Sequence, residues 1–164
     1  MVDQLYSALR AAIIENVLYP GARISEAEVR EAIEADIVKL LAHAPDPTLI
    51  ADLRAQVDRQ QDLVRGAARE FMIADESNHR TLAEGAGKDK AWHIVVEMKA
   101  QMDRIRVLSG MHFPANRLID QHRDVLGAIA QRAPDKAEHA MRCHLQGILT
   151  DLPAIKQEQP EYFL

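Results

Sequence analysis

Apolar residues along this 164-residue chain recur every three to four positions, the spacing that lines one face of an α-helix. Leu5, Leu9, Ala12, Ile13 and Val17 predict a first helix over roughly residues 2–17, ended by Tyr19-Pro20-Gly21. Ser25, followed three residues later by Glu28, has the form of a capping box. It precedes a second helix carrying Val29, Ile33, Ile37, Leu40 and Leu41 towards His43, with Pro45 as the stop. Asp46-Pro47 then pairs an N-capping side chain with a proline suited to the first helical position, opening a third helix through Leu49, Leu53, Val57 and Val64. Gly66 marks a break. A fourth helix over about 67–84 holds Phe71 and Leu82 and closes in Gly85-Ala86-Gly87. A fifth, capped by Asp89 and running to about Ser109, carries Trp92, Val95, Val96, Met98, Met102 and Ile105. Pro114 opens a sixth through Leu118, Val125, Leu126 and Ile129, and Asp135 caps a last one through Met141, Leu145, Ile148 and Leu149. The tail KQEQPEYFL is polar and expected to fray. No period-two alternation and no repeat interrupts this pattern.

Composition agrees with an all-α domain: aromatics make up 4 % of the chain, and it has only 7 glycines and 7 prolines. At this length one domain with a substantial core is expected. The single Cys143 excludes a disulfide framework. The opening MVDQLYSALR has no long apolar core, and no later stretch reaches the length of a membrane span, so a soluble, cytoplasmic protein is expected. A formal charge of -5 gives no general attraction to nucleic acid, and any DNA contact would need a local surface.

Four polar residues sit in register with the aliphatic stripes. Asp75 and His79 are four apart, so on a helix one side chain stacks a turn above the other. His122 and His144 stand in step with aliphatic neighbours on two further helices. Three imidazoles and one carboxylate aimed inward suit a divalent ion: zinc, nickel, manganese or iron(II). The ordinary alternative is a set of hydrogen-bonded core histidines, since the chain holds seven. His43, His93, His112 and His139 match no such position and are expected at the surface or at helix ends.

From about Val29 to Leu152 the chain resembles the FCD effector-binding domain of GntR-family transcription regulators, in the FadR-like subfamily. The resemblance rests on DESNHRTLAEGAG, DQHRDVLGAIAQRAPD and HAMRCHL, in that order. It implies an antiparallel bundle of about six helices, with Asp75, His79, His122 and His144 as metal ligands and Arg30, in VREAIEADIVKLLAHA, in the effector pocket. The residue before the motif histidine is commonly aromatic in the family and is Asn78 here, which changes the packing beside the ion or adds a polar contact to the effector. Arg30 could instead pair with Glu26 or Glu34, four residues to either side.

Residues 1–28 are similar to the opening of the GntR winged helix-turn-helix, through LYSALRAAIIENVLYPGARISEAE, with residues 29–164 forming the effector domain. After Glu28 the recognition helix and wing do not follow, so DNA-contacting residues cannot be assigned and this stretch is not expected to read an operator. The resemblance implies a homodimeric, non-enzymatic regulator that binds operator DNA when intact and responds to a small carboxylate, an organic or sugar acid. Two other classes fit the residues: a metal-dependent hydrolase or oxygenase, and a structural helical dimerisation domain. The first lacks a dedicated acid or base, since Glu76 and Asp120 fall on other helix faces than the ligands.

Overall fold

The computed structural model describes residues 26–64, 68–96 and 115–158. The expected first helix, the Ser25 cap, Pro114 and the later part of the Trp92 helix lie outside these residues. The described helices are α1 (Glu26–His43), α2 (Pro47–Leu63), α3 (Ala68–Gly85), α4 (described over 89–96), α5 (Ala115–Ala130) and α6 (Pro134–Glu158). Among the described residues there is no strand.

Local chemistry sets several helix ends. Asp46 is extended and its carboxylate accepts the Thr48 N–H at 2.8 Å, with Pro47 in the first turn, as its position in the sequence predicts. α3 closes on Gly87, whose φ of 65° lies in the left-handed region. There Lys88 N–H reaches the Ala83 carbonyl and Gly87 N–H reaches Glu84, which satisfies carbonyls that the helix end leaves over. α5 closes the same way without glycine: Arg132 has φ 55°, with Ala133 N–H on Ala128 and Arg132 N–H on Ile129.

Two expected caps lie inside their helices instead. The first carbonyl of α6 to accept is that of Ala133, from Ala137, so Pro134 occupies the first helical position and Asp135 belongs to the first turn. Likewise Trp92 N–H donates to the Lys88 carbonyl, which puts Asp89 inside the helix. Both carboxylates still favour a helix N-terminus, through the macrodipole rather than through a cap. α6 also runs past Leu149 to Glu158, into the tail expected to fray.

The helices pack around one core. α1 lies against α6, α5 and α3, while α2 bridges α3 and α5; α5 and α6 form a hairpin joined by three residues. Val38, Leu53, Val57, Leu82, Val95, Ile119, Ile129 and Met141 are fully enclosed. α1 is buried on more than one side, and its core-facing positions include two charged residues, Arg30 and Glu34, as well as Ile33, Ile37, Val38 and Leu41. Ion pairs also join α1 to α6 at the surface, from Lys39 to Glu138 at 2.6 Å and from Arg142 to Glu31 at 2.9 Å. No helix among the described residues is long and apolar enough to cross a membrane.

Candidate metal and effector site

α3 contributes Asp75 and His79 on one face, α5 contributes His122, and α6 contributes His144; all four side chains are buried. One ligand atom from each lies within 4.8 Å of the other three. His79 Nε2 is 3.1 Å from His144 Nε2 and 3.4 Å from His122 Nε2. Asp75 Oδ1 is 3.4 Å from His122 Nε2 and 3.9 Å from His79 Nε2. His79 and His144 are stacked, while His122 meets His79 edge-on. The four residues singled out in the sequence are thus brought together.

Each imidazole turns its other nitrogen outward to an oxygen. His79 Nδ1 meets Glu34 Oε2, His122 Nδ1 meets Gln60 Oε1 at 2.9 Å, and His144 Nδ1 meets Gln121 Oε1 at 3.2 Å. These contacts decide where the protons sit. A carboxylate only accepts, so His79 donates from Nδ1. The Gln60 amide nitrogen donates to the Ala74 carbonyl at 3.1 Å, which leaves its oxygen for His122 and makes that ring a Nδ1 donor as well. In a neutral imidazole with the proton on Nδ1, Nε2 carries a lone pair. Burial, and then the neighbouring His122 and His79, hold His144 well below its ordinary pKa, which favours the neutral ring.

Neutral rings with the proton on Nδ1 would present lone pairs to one another and to a carboxylate, an arrangement that a cation in their midst would stabilise. The spacing suits one. With metal–nitrogen bonds of about 2.0–2.1 Å, neighbouring ligand atoms sit roughly 3.0–3.4 Å apart, against 3.1 and 3.4 Å from His79 to the other two imidazoles and 3.9 Å from His79 to Asp75. The donor set of nitrogen and one carboxylate oxygen suits a borderline divalent metal, and the outer acceptors are of the kind that orient metal-binding histidines.

Arg30 lies beside this cluster, buried, with Nε on Glu34 Oε1 at 2.5 Å. Glu34, one of the two carboxylates four residues away, is therefore a partner of Arg30; the side chain of the other, Glu26, lies outside the described ones. Burial alone would push the Glu34 carboxyl up, but Arg30 and His79 together hold it well below the usual carboxylate range. Asn78 is also buried, and its Nδ2 has no hydrogen-bond partner among the described residues. His43, His93 and His139 are exposed, as expected, while His112 lies outside the described residues. Asp120 is exposed and pairs with Arg123. The roles of Glu34, Gln60 and Gln121 around the histidines escaped the sequence reading. Glu34 and Gln60 act across 45 and 62 residues of chain, and glutamine carries no periodic or motif signal that would point to an imidazole.

Residues 26–147 match the sequence model of the FCD domain. The chain is 32 % identical over 147 residues to an HTH-type transcriptional regulator in an unstable DNA locus of Streptomyces ambofaciens, an alignment covering 87 % of this chain and 61 % of the relative. It is 30 % identical over 137 residues to the HTH-type transcriptional repressor RspR of Escherichia coli K12, covering 82 % and 60 %. To the HTH-type transcriptional repressor NanR of Salmonella schwarzengrund it is 28 % identical over 150 residues, covering 89 % and 56 %. The chain thus spans about three-fifths of the length of these relatives. All three relatives carry the names of transcription regulators.

Proposed function

Because the chain belongs to the FCD domain family, we propose that it is the ligand-sensing part of a GntR-type transcription regulator, holding a divalent metal and a small carboxylate effector. The observation that carries this reading is the convergence of three inward Nε2 atoms on Asp75, each ring held from behind by an acceptor. Asp75, His79, His122 and His144 would hold the ion. Four protein ligands leave an ion that prefers six about two positions open.

Charge favours an anionic effector. Arg30 and Glu34 cancel, so the buried set with a divalent ion and three neutral imidazoles keeps a net charge of about +1. A carboxylate with an adjacent hydroxyl or keto oxygen, as in organic or sugar acids, would complete the shell and neutralise that charge. Arg30 is placed to attract a second carboxylate through its guanidinium. The Nδ2 of Asn78 is a buried donor three residues along α3 from Asp75, and it suits an effector oxygen.

In the intact regulator, effector binding would shift the arrangement of two DNA-binding domains across a homodimer and so change operator affinity. The test is a thermal-shift screen of organic and sugar acids against the metal-loaded chain, with and without chelator. A stabilising acid whose effect disappears on chelation supports the reading. Equal shifts in both arms contradict it.

A further inference from the structure

We infer that Glu34 is a positioning residue that couples the anion-attracting Arg30 on α1 to the candidate metal ligand His79 on α3. The inference rests on the metal reading above and adds a route by which occupancy at Arg30 changes the grip on the ion. Both oxygens of this carboxylate are engaged: Oε1 takes Arg30 Nε and Oε2 takes His79 Nδ1. All three side chains are almost fully enclosed, at 3 % exposure for Glu34, 4 % for Arg30 and none for His79. Water therefore screens little of the interaction between them.

Glu34 differs from its two counterparts. His122 and His144 are backed by glutamine amides, which are neutral and have a donor end as well as an acceptor end. A carboxylate has no donor, so it fixes His79 with the proton on Nδ1, and its negative charge makes the imidazole a stronger electron-pair donor at Nε2. Arg30 draws on that same charge. While the guanidinium holds Oε1, part of the carboxylate's negative charge is spent there and less reaches His79. An anion that neutralises Arg30 restores Glu34 as an acceptor and strengthens His79 as a ligand, so anion and metal bind with positive, reciprocal coupling. Neither glutamine provides this link.

Zinc affinity, measured by competition against a chromogenic chelator, tests the inference on the full chain and three variants. Glu34→Gln should bind zinc about 10- to 100-fold more weakly. The double variant Arg30→Gln/Glu34→Gln, which leaves no lone buried charge, should show the same loss, so misfolding of the single variant cannot mimic the result. Arg30→Gln alone keeps the carboxylate on His79 and releases it from its competitor; it should bind zinc as tightly as the unaltered chain or more tightly. Nitrogen-15 spectra of the metal-free chain should show His79 protonated on Nδ1, and a mixture of tautomers in Glu34→Gln. Zinc affinity within twofold of the unaltered chain in both Glu34 variants would overturn the inference. So would an Arg30→Gln variant as weak as Glu34→Gln, because the pair would then matter only for structure. If the unaltered chain takes up no zinc while the tautomer shift is seen, the metal reading fails and the positioning of His79 by Glu34 stands.

Discussion

α1 carries two sets of ion pairs, and they differ in nearly everything except charge. On its outer side Lys39 meets Glu138 and Asp135, and Glu31 meets Arg142, all on α6 and all at least partly exposed. On its inner side Arg30 and Glu34 are enclosed, and Glu34 passes the interaction on to His79. The outer pairs raise the pKa of Lys39 and lower that of Glu138 through direct hydrogen bonds, but water competes for every one of these groups. Such pairs hold two helices in register at little net gain. The inner set has lost its water, so each member depends on the others, and removing one leaves a buried charge or donor stranded.

Substitutions should separate the two sides of α1. Arg30→Ala, which strands the Glu34 carboxylate beside His79, is expected to cost about 3–5 kcal/mol in denaturant unfolding. A loss below about 1 kcal/mol would mean that the inner pair is no more demanding than the outer ones.

Acid should weaken the inner set next. Burial and its histidine neighbours lower the His144 pKa from 6.5, and Arg30 with His79 lowers that of Glu34 from 4.5 against the opposing effect of burial. In both cases the unfolded chain binds the proton first, so stability falls as pH drops, from about 6.5 for His144 and from about 4.5 for Glu34. Unfolding midpoints of the metal-free chain should decline steadily from pH 7 to pH 4. A midpoint that rises on acidification would show that these groups take up protons more readily in the fold.

Gln60→Leu keeps the volume but removes the oxygen behind His122 and the amide on Ala74. The cost should be about 1–3 kcal/mol, together with weaker metal retention. The smallest effect belongs to Lys39→Ala on the outer side, which should leave the thermal midpoint within about 2 °C. A larger fall there would erase the contrast between the two sides.

The sequence revealed those parts of the site that a helical repeat can carry. Asp75 and His79 share a motif and a helix face, and the stripes through His122 and His144 aim both rings at the core. The Asp46-Pro47 start and the glycine-rich end of α3 were equally legible, because a cap is a matter of a few adjacent residues. Where proline takes the first helical position, the start moves two residues upstream, and Asp135 becomes a first-turn acid in place of a cap. The outer acceptors were not legible. Gln60 and Gln121 look like any surface glutamine until packing sets them against an imidazole, and Glu34 looks like a partner for Arg30, which it is, while also reaching His79 on another helix. A site's inner shell follows from local periodicity, whereas the groups that orient it depend on how the helices cross.

Metal content tests the central claim most directly. Elemental analysis of the full chain, purified without chelator, should find about one divalent transition-metal ion per chain, and the His122→Ala variant, still helical by circular dichroism, should have lost it. An unaltered chain without metal that also takes up none on addition, or a His122→Ala variant that keeps the ion at full occupancy, would contradict the account.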